Sequence, residues 1–376
     1  MGVDTKLCCM SKLKQQNQWL FYWPVIIVVI IIINGCMLHN EVIPDDTGPK
    51  EKGNSAEVSE AGLRQEAPNL EIDDFSEQAE SFHIGVLQFA EHPALDAVYS
   101  GIIEALDTAG LKSGQHTHID YYNSRGDPNR CRLTIEKFVE DRVDLIVAIA
   151  TPSAQAAVEQ KDIPVLFAAV TEPREAGLVE TWENPNTNAT GVSDLTPVEA
   201  LLDMTMEVVP DAQDIGVVYN ATEVNSVVQV ELSRQVADEL GINIVTASAE
   251  SPEEVGEMAE KLADKVDVIW VPTDNTVLSA FHELTEIMDR HNMPVVGAST
   301  EFAMEGAMYA TGYDYHALGL QAGDMAVELI SGVDPAVMPV QMPTEIHIAI
   351  NMQSAEKIGY RIPFEVLVIA DQIFFK

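Results

Sequence analysis

The sequence predicts an α/β chain built as two doubly wound parallel-sheet lobes with a cleft between them, and three observations predict it. From residue 82 onward, short apolar runs alternate with amphipathic segments, the order of βαβ units. Several of those runs are apolar on both faces, as strands buried between helices must be. The runs fall into two comparable sets with the stretch 186–194 between them, and 376 residues are enough for two such domains.

At the front, Lys6, Lys12 and Lys14 precede an unbroken apolar run, 20–33, that ends at Asn34-Gly35-Cys36. A basic region followed by an apolar stretch too short for a comfortable membrane span describes an export signal. Ile33-Asn34-Gly35-Cys36 resembles a bacterial lipobox, in which the cysteine is lipidated and becomes the new N-terminus. That makes 1–35 a lipoprotein signal peptide and Cys36 the lipidation site. Kept as an uncleaved anchor, the run would still place the remainder outside the cytoplasm. Residues 36–80 are acidic, hold Pro and Gly and lack periodicity, so a flexible stalk is expected there. Cys8 and Cys9 leave with the signal, and Cys131 alone falls in the folded part, so no disulfide framework is available.

The first set of strand candidates is 84–89, 118–122, 145–149 and 165–170, with helices at 93–109, 130–141 and 152–160. The second is 215–219, 243–246, 268–271, 294–296 and 307–310, introduced by a helix at 197–209. Pro at the first helical position marks starts at His92-Pro93, Thr151-Pro152 and Thr196-Pro197, the last with Glu199 completing a capping-box pattern. Thr273-Asp274-Asn275 opens another helix. After the strand ending at Tyr219, a polar loop leads to a helix in which Ser226 and Gln229 have capping-box spacing. Its Val228, Leu232, Val236 and Leu240 share one face, and Gly241 stops it. In open α/β sheets, ligands sit beyond the carboxyl ends of strands, where helix N-termini turn free N–H groups outward. This loop therefore sets a carboxylate, Glu223, beside a helix N-terminus, a pairing that suits a zwitterion.

A formal net charge of −39 without any Lys/Arg-rich run excludes nucleic acid as a partner and describes a solvated acidic surface. G-x-G-x-x-G after the first strand and G-x-x-x-x-G-K-[ST] are both missing, so no nucleotide or other cofactor is expected. A G-x-S-x-G elbow, H-E-x-x-H and Cys/His clusters with metal spacing are missing too, so no catalytic residue and no metal ligand is assigned. His92, His282, His291 and His316 are scattered.

Taken together, several segments resemble the substrate-binding lipoproteins of ABC importers with the type I periplasmic-binding fold, in the branch for tryptophan and other aromatic amino acids. They include Gln88-Phe89-Ala90-Glu91-His92-Pro93, Ala148-Ile149-Ala150-Thr151-Pro152-Ser153, Phe167-Ala168-Ala169-Val170-Thr171-Glu172-Pro173 and Gly191-Val192-Ser193-Asp194. The stretches 219–226, Pro272-Thr273-Asp274-Asn275-Thr276 and 312–319 complete the set, and the likeness runs from about 82 to about 370. Glu172, where the family usually shows Asp, and Arg174 depart from the pattern. The resemblance implies three crossings between lobes, with lobe one at 82–192 plus 312–340 and lobe two at 193–311 plus 341–370.

It further implies capture of an amino acid, aromatic in this branch, by hinge closure of a monomer that delivers it to a membrane ABC permease. The ligand carboxylate would meet Thr151 and Ser153 from lobe one and Asn225 and Ser226 from lobe two. Its ammonium would meet Asp274 or Glu223, with Thr171, Asn220 and Glu91 as further polar contacts and Phe89 and Tyr219 as the apolar wall. A sensor feeding a receptor uses the same module, and an exported enzyme would need a nucleophile–base pair or metal site that no motif supplies. A structural surface lipoprotein would gain no stability from small molecules.

Overall fold

The computed structural model describes residues 81–375, so the expected signal peptide (1–35), the expected lipidation site Cys36 and the expected stalk (36–80) lie outside the described residues. The first lobe runs β1 (Phe82–Gln88), α1 (Pro93–Thr108), β2 (Thr117–Asn123), α2 (Pro128–Asp141), β3 (Leu145–Ile149), α3 (Thr151–Val158), β4 (Val165–Ala168) and β5 (Ala189–Val192). Its five strands are ordered β2-β1-β3-β4-β5, all parallel. β3, Leu-Ile-Val-Ala-Ile, is buried at every position, which a strand covered by helices on both faces requires. This order reverses direction between β1 and β3, and such switch points open a crevice at the carboxyl ends of the strands.

The second lobe repeats the plan with α4 (Val198–Val208), β6 (Asp214–Tyr219), α5 (Val224–Leu240), β7 (Asn243–Ser248), α6 (Pro252–Ala263) and β8 (Val268–Val271). It continues with α7 (Asn275–Ser279), α8 (Phe281–Arg290), β9 (Val295–Ser299), α9 (Thr300–Met304) and β10 (Tyr309–Tyr313). The order β7-β6-β8-β9-β10 is again parallel and again switches between its first and third strands in sequence, β6 and β8. β11 (His347–Asn351) adds antiparallel to β10, an exception to the parallel expectation, and β12 (Gln372–Phe374) follows it. α11 (Met352–Lys357) and α12 (Phe364–Ile369) fill the interval between those two strands.

Each sheet has its own apolar core, and the chain passes between the cores after Val192, after Tyr313 and after Val340. The middle passage delivers α10 (Tyr315–Ile330) back onto α1 of the first lobe. The two helices meet backbone to backbone: a Cβ added at Gly319 would lie 2.3 Å from the Val98 carbonyl oxygen, and one at Gly101 2.3 Å from that of His316. Glycine is required there by contact, because any side chain pushes the helices apart.

Local corrections follow from what the caps do. Ser226 and Gln229 do not form a capping box: α5 starts at Val224 with Glu223 as N-cap, and both side chains are buried within the helix. Gln229 instead donates to Thr273 Oγ1 at 2.8 Å and accepts from Thr196 Oγ1 at 2.8 Å, linking the crossing segment to the end of β8. Thr196 is thereby removed from the cap of α4, where Pro197 stands as N-cap. The strand expected at 307–310 lies at Tyr309–Tyr313, since a run apolar on both faces does not mark where pairing begins. Replacing Gly319 by Ala is expected to cost about 1–3 kcal/mol by overpacking the α1/α10 contact. Chemical denaturation checks this, and an unchanged unfolding midpoint would mean that the helices are free to separate.

Candidate functional site

The two switch points face each other across a narrow cleft. From the first lobe come the residues after β1, β3, β4 and β5; from the second, those after β6, β8 and β9. They close around a narrow crevice of about 10 Å³, room for roughly one water, lined by His92, Thr151, Thr171, Asp194, Asn225, Thr273, Asn275 and Tyr315 with Leu95, Leu278 and Phe302 as apolar wall. Ala150 (φ 77°) and Ala169 (φ 55°) hold left-handed backbone where β3 and β4 end in this wall. Such strain in non-glycine residues persists where surrounding structure imposes it, and it concentrates at sites. The lobes touch: Thr171 Oγ1 lies 3.3 Å from Thr273 Oγ1, and Tyr315 N donates to Glu301 Oε1 at 3.4 Å.

Asp194, just beyond β5, is the carboxylate that sequence reasoning missed as a site residue. It accepts from Thr171 Oγ1 at 3.0 Å and from the Tyr315 hydroxyl at 2.5 Å, and no cationic side chain pairs with it. Burial raises its pKa, opposed by the Tyr315 and Thr171 hydroxyl donors and by a backbone N–H. Burial and the negative Asp194 likewise push the Tyr315 phenol upward, so it stays a neutral donor. His92, the N-cap of α1, is also enclosed. Burial drives its imidazole down to about 4 against the raising influence of the Asn275 side chain, so it is neutral at physiological pH. His92 Nε2 and Asn225 Oδ1 are buried polar atoms without a protein partner, so the cleft wall carries unused acceptor capacity beside Asp194.

The two carboxylates expected to hold an ammonium are committed elsewhere. Asp274 is fully buried; its Oδ2 accepts from Asn220 N at 2.6 Å and its Oδ1 from Val277 N at 2.8 Å. Glu223 accepts from Asn275 N at 3.1 Å and Thr276 N at 3.0 Å, and from the Asn275 and Thr276 side chains at 2.7 and 2.8 Å. Between them they satisfy the free N–H groups of the first turn of α7, a capping function. Burial, and then the nearby Glu223 charge, raises the Asp274 pKa, so the pair sits close enough for its charges to oppose each other.

Of the other expected site residues, Thr151, Thr171 and Asn225 line the cleft, while Phe89, Asn220 and Glu223 border its outer mouth with Asn225. Glu91 is exposed in a neighbouring surface crevice with His92 and Leu278. Ser153 and Ser226 are fully buried behind the wall, and Tyr219 packs against the second core instead of forming an apolar wall. Glu172 also stands apart from the cleft: it accepts from Trp182 Nε1 at 2.6 Å and Glu175 N at 2.7 Å, so this departure from the family pattern acts within lobe one.

A family model described as ABC transporter substrate binding protein matches residues 83–374. The chain belongs to this family. The tyrosine-binding protein of Clostridioides difficile is 37% identical over 270 residues, covering 72% of this chain and 78% of that protein. An ABC domain from Streptococcus pneumonia, solved in complex with L-Trp, is 35% identical with a TM-score of 0.76, covering 78% of this chain and 100% of that one. The ligand-free, open structure of a substrate binding protein with adhesive properties from Clostridium difficile is 37% identical over the same shares, with a TM-score of 0.61. The better superposition at similar identity is on the complex, in keeping with lobes that touch. These relatives of the substrate-binding family are the two-lobed α/β fold that the strand pattern predicts.

The capping reading makes a direct prediction. Glu223→Ala leaves the N–H groups of Asn275 and Thr276 without acceptors and is expected to lower unfolding free energy by about 1–3 kcal/mol. Urea unfolding measures it; full stability combined with lost solute binding would make Glu223 a ligand contact instead.

Proposed function

We propose that this substrate-binding protein captures an aromatic L-amino acid between its lobes, outside the cytoplasm, and hands it to a membrane ABC importer. It acts as a monomeric carrier without catalysing a reaction. The observation that carries this reading is the enclosed Asp194 carboxylate, which has neutral hydrogen-bond donors but no cationic partner among the described residues. An unpaired buried charge is costly, and a ligand ammonium is the group that compensates it. Asn225 Oδ1 and neutral His92 Nε2 supply further acceptors. Thr151, at the start of α3, offers a hydroxyl and the helix N-terminus to the ligand carboxylate. Leu95, Leu278 and Phe302 form the wall for the ring, with Phe89 at the mouth. Support for an aromatic side chain comes from the relatives, one named for tyrosine and one solved with L-Trp.

The lipid anchor at Cys36 and the stalk at 36–80 belong to the same proposal: a tethered body on a long acidic arm reaches a permease in the same membrane. Calorimetric titration with Tyr, Trp and Phe is expected to give one saturable site, and binding of a non-aromatic solute in their place would overturn the aromatic assignment. Asp194→Asn keeps the shape and removes the charge. It is expected to weaken binding by about 2–5 kcal/mol, the usual cost of losing one member of an enclosed charge pair. Because only the ionised carboxyl holds an ammonium, wild-type affinity falls as acid protonates Asp194, and the variant loses that dependence. Unchanged affinity in Asp194→Asn would remove Asp194 from the site.

A further inference from the structure

On the first lobe, at the end of the sheet opposite the cleft, three metal-binding side chains converge on one face. His83 is the second residue of β1 and His118 the second of β2, and the parallel register pairs them directly. Asp120, two residues beyond His118 on the same strand, points to the same face, as the period of a strand dictates. Asp120 Oδ2 lies 2.9 Å from His83 Nε2 and its Oδ1 3.4 Å from His118 Nε2, while the two imidazole centroids are 4.7 Å apart. One ligand atom from each of the three lies within 4.8 Å of the others.

We propose that His83, His118 and Asp120 form a binding site for a divalent transition ion of the zinc class. Around zinc, with bonds of about 2.0–2.2 Å to imidazole nitrogen and carboxylate oxygen, tetrahedral ligand atoms stand about 3.3 Å apart. The two histidine–Asp120 separations, 2.9 and 3.4 Å, lie near that spacing, and side-chain rotation would bring the three ligand atoms, now within 4.8 Å of one another, around one ion. Two imidazoles with one carboxylate favour zinc and its late-transition neighbours over calcium or magnesium, which prefer oxygen donors. Lys137, the nearest competing cation for Asp120, is instead paired with Asp141. His118 is the exposed member, its side chain 65% accessible, so the remaining coordination positions open to water. The strongly negative surface concentrates cations around the lobe. No spacing along the chain announces the cluster, which is why the sequence assigns no metal ligand: strand pairing, not sequence proximity, brings His83 to His118.

Such an ion joins β1 to the edge strand β2, so it stabilises the first lobe without entering the solute cleft. The test is zinc titration of the untagged full-length chain by calorimetry, with thermal unfolding in zinc and in EDTA. The expected result is one zinc per chain at this site, a higher melting temperature in zinc, and unchanged amino-acid affinity. His118→Gln and Asp120→Asn, both accessible substitutions, are each expected to weaken zinc binding by more than about tenfold, as loss of a metal contact does. Their metal-free melting temperatures report that they fold. His291→Gln, which breaks a different histidine–carboxylate pair with Glu260, is expected to leave zinc affinity unaltered. No zinc uptake, uptake indifferent to His118→Gln and Asp120→Asn, or equal loss in His291→Gln would each overturn the site.

Discussion

The Asp194 carboxylate is buried between the two lobes, and the proposed mechanism turns on that constraint. Its two hydroxyl partners come from separate parts of the chain: Thr171 follows β4, and Tyr315 opens α10 just after the second passage between cores. The charge therefore sits among the segments where the chain crosses from lobe to lobe. With neutral donors and no cation, enclosure leaves a negative charge poorly compensated, which in the proposed mechanism disfavours a closed protein without solute. A ligand that brings an ammonium reverses the balance. In the proposed mechanism closure and binding become one event, because a closed state surrounds the charge on every side.

The carboxylates at the far side of the cleft answer a different demand. α7 is five residues long and begins at the wall of the cleft, and its first N–H groups are met by carboxylates. Glu223 reaches from α5 and Asp274 from the cap position to accept them. Gln229 extends the same network to Thr196 in the first passage between lobes. The second-lobe wall is thus a pre-hydrogen-bonded surface, and its polar side chains are mostly spent on holding shape. In the proposed site, recognition falls to the groups left over, chiefly Asp194, Asn225 Oδ1 and His92.

The lobed α/β fold was legible because parallel strands buried on both faces leave continuous runs such as Leu145 to Ile149, bounded by Pro-marked helix starts. The cleft between the lobes was legible for the same reason: switch points follow from strand order, and Thr151, Thr171 and Asn225 line it just beyond strand ends. The roles of the carboxylates were not. Among 60 acidic residues, Asp194, Glu223 and Asp274 look alike along the chain, and only the partners of each oxygen separate a helix cap from an uncompensated charge. Ser226 and Gln229 misled in a related way. Their spacing fits a cap, but Glu223 occupies that position, and burial turns both side chains inward.

The most direct test is a crystal structure of the full folded part with its amino-acid ligand bound. The account predicts closed lobes, the ligand ammonium within hydrogen-bonding distance of the Asp194 carboxylate, and Glu223 and Asp274 still on the first turn of α7. A ligand whose ammonium sits on Glu223 or Asp274, with Asp194 still bonded only to Thr171 and Tyr315, would contradict it.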